Sequence, residues 1–163
     1  MRSVILFRHG KSDWYAEYEK DFDRPLAKRG ILASKKMGIY LAGKIKTPDL
    51  VISSPATRTY STAKLAIDSG KWNSKLILSK SLYEASQAII VSLLSKQKNK
   101  YRSICIVGHE PSMSSFINYQ TDQRVIKYPT ATIALINYDI DIWSKIVGRR
   151  GVLKWVKQPK KVV

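Results

Sequence analysis

Cysteine and histidine are scarce in this chain of 163 residues, which has one of the first and two of the second. A single thiol excludes an intrachain disulfide, so the fold has to rest on a packed core. Cys105 lies inside the apolar run Ser103-Ile-Cys-Ile-Val107 and reads as a buried thiol in a protein of the reducing cytoplasm. Two histidines with no tight spacing and no third strong ligand make a poor zinc set, so neither a metal nor another cofactor is expected. Acids are few as well: 12 stand against 29 lysines and arginines, a net charge of +17. Such a balance favours anionic partners without choosing among phosphorylated small molecules, phosphoproteins, nucleic acid and acidic membrane surfaces. Long hydrophobic runs are missing too. The stretch Val4-Ile-Leu-Phe7 is too short for a secretory core and is followed at once by Arg8, and no span approaches transmembrane length. A soluble, unexported protein with no membrane partner is therefore expected.

The length and the 44% hydrophobic content suit one core, and the chain reads as a single domain over residues 1–163. Val4 to Phe7 is a short apolar run consistent with a strand buried on both faces, and Asp49 to Ser53, Lys75 to Ser79 and Ser103 to Val107 read as the second, third and fourth strands. Between them lie helical patterns from Leu26 to about Ile45, from Ser54-Pro55 as N-cap and first-turn pair to about Ile67, and from Ser86 to Lys96. Pro111 opens a further helix to about Tyr119. Thr132 to Tyr138 and Ile142 to Val147 read as two closing strands joined by a turn at Asp139-Ile-Asp141. Alternating strands and helices imply crossovers, hence a three-layer α/β/α sandwich around a mostly parallel sheet.

Both histidines fall where an apolar strand runs out into a turn, His9 in Arg8-His-Gly10 and His109 in Gly108-His-Glu-Pro111. Ligands of open α/β sheets bind beyond such strand ends. Arg58 follows the second strand within one helical turn, so Arg8, His9, Arg58 and His109 can gather along one edge of the sheet. Two arginines can hold a phosphoryl group by forked, charge-assisted hydrogen bonds, and a neutral imidazole beside them can attack phosphorus. The second histidine, if cationic, supplies a further donor to the equatorial oxygens. The bland alternative for each histidine alone is a satisfied turn or core residue.

At this point the sequence resembles a known family. Leu6-Phe-Arg-His-Gly-Lys-Ser-Asp-Trp14 is similar to the opening signature of the histidine phosphatase, or phosphoglycerate mutase-like, superfamily. Arg24-Pro-Leu-Ala-Lys-Arg-Gly30, Ser53-Ser-Pro-Ala-Thr-Arg58, Leu82-Tyr-Glu-Ala-Ser86, Val107-Gly-His-Glu-Pro-Ser112 and Tyr128-Pro-Thr-Ala131 resemble, in order, the short phosphohistidine phosphatases of the SixA type. The resemblance implies a phosphoglycerate mutase-like fold and a metal-independent phosphatase, with phosphohistidine in proteins as its substrate and a role in signal transduction. It makes His9 the nucleophile and Arg8, Arg58 and His109 the phosphate pocket. It brings Ser12 to the phosphate, where the alternative is a solvated loop serine, and offers Glu84 as a general acid, where the alternative is a loop carboxylate paired with a lysine or a pocket arginine. Asp13 is a weaker second acid. Tyr15 and Lys11 depart from the mutase pattern, and the interval between Arg58 and His109 lacks the long insertions that cap the pocket in small-molecule members. A general phosphatase for small esters or anhydrides is the competing enzyme reading. A basic nucleic-acid-binding protein, docking through Lys154 to Lys161 around Trp155, is the reading from another class.

Overall fold

The computed structural model describes all of Met1–Val163. Six strands form one sheet: β1 (Arg2–Arg8), β2 (Leu50–Ser53), β3 (Lys75–Leu78), β4 (Ser103–Gly108), β5 (Ile133–Tyr138) and β6 (Val152–Lys157), in the order β3-β2-β4-β1-β5-β6. The first four are mutually parallel, whereas β5 runs antiparallel to β1 and β6 to β5. Four helices cover the faces: α1 (Lys28–Lys44), α2 (Thr57–Gly70), α3 (Gln87–Ser95) and α4 (Ser112–Gln120).

The uninterrupted apolar runs have their cause in the two-residue period of a strand, since a strand covered on both faces needs apolar side chains at successive positions. Val4 and Leu6 of β1 join one core with Leu50, Ile52, Ile104 and Ile106, completed by Ile90, Leu94, Met113, Phe116 and Trp143. Ile5 and Phe7 point the other way, to Val51, Cys105 and Val107 under Met37, Leu41 and Ala63 of the first two helices. Cys105 is fully buried, as expected. Helices α1 and α2 approach closely at Gly38, where a Cβ would lie 2.4 Å from the Ala66 carbonyl oxygen. The Gly38 carbonyl in turn accepts the Trp72 indole N–H at 2.9 Å.

Several boundaries differ from expectation. The segment Ile142 to Val147, expected as a closing strand, is a 3-10 turn over Trp143–Ile146. Trp143 and Ile146 are both fully buried, a spacing of three rather than two, and the Trp143 indole N–H donates to the Tyr101 carbonyl at 2.6 Å. The true last strand is Val152–Lys157, and its lysines mark it as an open sheet edge. Helix α2 begins at Thr57 rather than at Ser54-Pro55, with no side-chain cap, and α4 begins after Pro111 rather than on it. Ser86, the first residue of the third helical pattern, caps α3, its hydroxyl accepting the Ile89 N–H at 3.2 Å. No helix is long and apolar enough to cross a membrane.

Candidate active site

Register brings the candidate residues together. Arg8 and Gly108 end the paired strands β1 and β4, and Ser53 ends β2 on the other side of β4. Residues 8–9, 54–58 and 109 therefore leave three adjacent strands at the same carboxyl edge. The His9 and His109 rings lie 5.3 Å apart between centroids.

His9 is fixed by its own backbone. Its N–H donates to the Gly108 carbonyl at 3.1 Å, and its carbonyl accepts from Ala131 at 2.9 Å. The ring Nδ1 lies 2.7 Å from the Gly10 carbonyl, which can only accept, so Nδ1 carries the hydrogen and Nε2 keeps its lone pair. Burial, with further contributions from His109, Arg8 and Arg58, lowers the His9 pKa to about 3. A neutral imidazole with a free Nε2 is what nucleophilic attack requires. Thr62 ties this loop to α2, its hydroxyl accepting from the Gly10 N–H at 2.9 Å and donating to the Arg58 carbonyl at 2.7 Å.

The arginines carry unspent donors. Arg8 gives one terminal N–H to the Tyr128 carbonyl at 3.0 Å, while its Nε–H is buried with no partner. The Arg58 Nε–H is likewise buried and unpartnered. Buried N–H groups without acceptors are costly, and two of them on guanidinium groups beside one imidazole mark a place where an anion completes the structure.

His109 lies with Nε2 2.9 Å from the Ser54 hydroxyl. Burial first, and then the neighbouring Arg58 charge, lowers its pKa to about 4, so the condition that His109 be cationic is not met by the free protein, whose ring is neutral. Ser12 is buried and accepts from the Arg24 Nε at 2.9 Å, which excludes a solvated loop serine and leaves its hydroxyl engaged by an arginine. Asp13 accepts the Tyr15 N–H at 2.9 Å in a local turn and is not among the residues lining the cleft beside His109. Glu84 does line that cleft, of about 460 Å³, together with Arg58, His109 and Glu110. It sits in the left-handed region at φ 60°, exposed and free of any hydrogen bond or ion pair.

Asp21 is the residue that sequence reasoning missed. Its carboxylate binds Arg24 and also Arg58, the latter at 3.0 Å, while its backbone carbonyl accepts a second Arg58 N–H at 2.8 Å. The Tyr83 hydroxyl donates to the same carboxylate at 2.7 Å, and the Tyr83 ring stands edge-on to His109 at 5.5 Å. The Tyr83 hydrogen bond and the Arg58 charge hold the Asp21 pKa down at about 2. The pairing with a pocket arginine considered for Glu84 is made by Asp21 instead. No three His, Cys, Asp or Glu side chains converge in a set able to hold a metal ion.

The neutral, buried histidines carry a pH signature. In the unfolded chain each titrates near 6.5, so between that value and the lowered native ones the unfolded state binds protons that the native site refuses. Stability therefore falls as pH is lowered from about 6.5 toward 4, by up to about 1.4 kcal/mol per pH unit for each histidine. Denaturant midpoints measured from pH 7 to pH 5 should show this slope. His9→Asn and His109→Asn should each flatten it, and a wild-type midpoint constant over that range would contradict the assigned neutral states.

Comparison with known proteins agrees with the geometry. The model of the histidine phosphatase superfamily, branch 1, matches residues 4–87. An uncharacterised protein of Mycobacterium tuberculosis is 31% identical over 140 residues, which is 79% of this chain and 85% of the relative. Among solved structures, the protein histidine phosphatase SixA complexed with tungstate superposes with a TM-score of 0.83 at 20% identity, over 99% of both chains. A candidate phosphohistidine phosphatase SixA from Agrobacterium tumefaciens superposes with a TM-score of 0.81 at 25% identity, covering 97% of this chain and 98% of its own. The family model covers just over half of the sequence, and the chain belongs to branch 1 of the histidine phosphatase superfamily.

Proposed function

We propose that the protein is a phosphohistidine phosphatase working through a covalent phosphohistidine on His9, with phosphorylated protein as its substrate. The observation that carries this reading is the tautomer of His9, whose Nδ1–H is committed to Gly10 and whose Nε2 lone pair is free beside two unspent guanidinium N–H groups. In the first step Nε2 bonds to phosphorus as the bond to the leaving group breaks, and the Gly10 carbonyl stabilises the positive ring that results. In the second, water attacks the phosphorus, the electron pair returns to Nε2 and both water protons leave with phosphate. Arg8 and Arg58 hold the equatorial oxygens throughout. Arrival of a dianion also raises the proton affinity of His109, which then donates to the same oxygens. The likeness to a SixA that binds tungstate, a tetrahedral oxyanion, supports an anion pocket of this kind.

The choice of leaving group rests on the three carboxylates lining the cleft. Asp21 is held ionised, Glu110 accepts two hydrogen bonds from Ser114 at 2.7 Å, and Glu84 stands exposed without a partner. Asp21 and Glu110 spend their oxygens as hydrogen-bond acceptors and Glu84 is oriented by no second group, whereas alkoxide leaving groups demand a positioned acid. A phosphorylated imidazole protonated on its other nitrogen departs as neutral imidazole and needs none. Wild-type kcat/KM should accordingly be at least about 100-fold higher on a phosphohistidine peptide than on the phosphoserine peptide of the same sequence, the scale that general acid catalysis otherwise supplies. The slow ester hydrolysis that remains would draw its proton from Glu84, the one cleft carboxylate with uncommitted oxygens, so Glu84→Gln should slow ester hydrolysis more than phosphohistidine hydrolysis. Equal rates on the two peptides would favour the general phosphatase for small esters, and equal losses in the variant would remove Glu84 from proton transfer.

A further inference from the structure

The large positive charge is not absorbed by the site. On the α1 side of the sheet, Lys11, Arg29, Lys36 and Lys160 surround a second cleft of about 280 Å³ over Leu32 and Ala33. None of the four belongs to any ion pair of the molecule. The C-terminal segment is folded onto α1 to bring this about. Trp155 stands edge-on to Tyr40 at 6.1 Å, the Lys157 ammonium lies 5.6 Å from the same ring, and the turn Pro159–Lys161 sets Lys160 in the cleft with Lys36. Gathering four like charges around one cleft is unfavourable in itself, so an anion is needed to balance them.

This cleft adjoins the nucleophile. Lys11 follows His9 by two residues, and Gly10 is pressed so closely on α1 that a Cβ there would lie 2.6 Å from the Gly30 carbonyl oxygen, next to Arg29. Thr130, also on its wall, precedes Ala131, whose N–H holds the His9 carbonyl at 2.9 Å. The two clefts thus flank one catalytic edge and differ in charge: acids and Arg58 line the one beside His109, and only unpaired cations supply the charge of the other.

We propose that the Lys11, Arg29, Lys36 and Lys160 cleft docks an acidic patch of the phosphorylated protein substrate beside the phosphoryl group delivered to His9. This rests on the reading of the enzyme as a protein phosphatase. Complementary charge of this kind steers encounter and fixes orientation, so it acts on binding and leaves the chemical step alone. The occupant is an acidic protein surface rather than nucleic acid, because the cleft lies beside the site at which the phosphorylated protein presents its phosphoryl group, and four cations in one compact cleft match a local acidic patch on that same protein.

The test compares wild type with the double variant Lys36→Glu/Lys160→Glu on three probes: a phosphohistidine peptide flanked by glutamates, the same peptide flanked by glutamines, and p-nitrophenyl phosphate. In wild type, KM should be lower for the acidic peptide, and the difference should shrink as salt is raised above about 0.15 M. In the double variant, KM for the acidic peptide should rise at least tenfold, with kcat and the p-nitrophenyl phosphate kinetics unchanged. Equal KM for both peptides in wild type, or a preference that survives in the variant, would overturn the proposal. Retention of single-stranded DNA by wild type that the variant loses, with peptide KM unmoved, would overturn it in favour of nucleic acid. If neither peptide is turned over while p-nitrophenyl phosphate is, the protein-phosphatase reading has failed. Binding of the unphosphorylated glutamate peptide then decides the surface separately, for it if the variant loses that binding and against it if wild type shows none.

Discussion

His9→Ala is expected to lower turnover by roughly 10⁴-fold to 10⁶-fold, the range seen when a covalent nucleophile is lost, and to abolish phosphate trapping on the enzyme. The size of the effect follows from how little else in the site can take its place. Ser54 is engaged by the His109 ring, and Ser12 is engaged by Arg24. Cys105, the only thiol, is fully buried on β4 between β1 and β2, where desolvation pushes its pKa far above the ordinary thiol range. Cys105→Ala should therefore retain turnover.

The trapped species has its own chemistry, since a phosphorylated imidazole is labile to acid and stable to base, the reverse of a phosphoserine. Rapid quench with radiolabelled substrate should give wild-type enzyme carrying label that survives base and is released by acid. His9→Ala should carry none. Label that persists in His9→Ala, or that resists acid in wild type, would assign the nucleophile elsewhere. The pH profile gives a second check: with the free imidazole lowered to about 3, kcat/KM should show no acid limb from His9 between pH 8 and pH 5.

The parts of this site that are legible in the sequence are those that depend on strands buried on both faces. Such strands must be apolar at consecutive positions, so β1, β2 and β4 stand out as short runs, and the residues just after each one lie at the same sheet edge. Arg8, His9, Arg58 and His109 are found that way. The segment beyond β5 misleads because Ile142-Trp-Ser-Lys-Ile-Val147 has the composition of a strand, while its actual conformation is set by the burial of Trp143 and its hydrogen bond to Tyr101, 42 positions away. Asp21 is invisible for a similar reason. Its partners Arg58 and Tyr83 are 37 and 62 positions distant, and only the fold brings the loop after β1 against α2 and the segment after β3. The one local trace is an acid three residues before Arg24 in a chain poor in acids. The charge state of His109 is equally out of reach, because burial and the approach of Arg58 decide it.

Arg58→Ala is expected to lower kcat/KM by about 10³-fold, and the reason is only partly the lost contact with phosphate. Removing one member of an ion pair also leaves the other charge behind, and this one is half exposed at the edge of the site, so the loss is read in substrate binding more than in stability. Here the group left behind is Asp21, whose carboxylate stays ionised through Arg24 and Tyr83 and then faces the incoming dianion uncompensated. Two further results separate these contributions. Arg58→Lys should recover only part of the loss, since an ammonium restores charge without the fork that engages both Asp21 and an oxyanion. The double variant Arg58→Ala/Asp21→Asn should be about tenfold more active than Arg58→Ala alone, because the repelling carboxylate has gone, a difference of about 1.4 kcal/mol in activation free energy. Without the arginine the His109 pKa should also move up from about 4 toward its ordinary value, stopping short of it because burial remains. A histidine titration followed by NMR reads this directly, without substrate. If the double variant is no better than Arg58→Ala and His109 does not move, Arg58 acts on neither Asp21 nor His109, and the counter-ion role assigned to Asp21 is wrong.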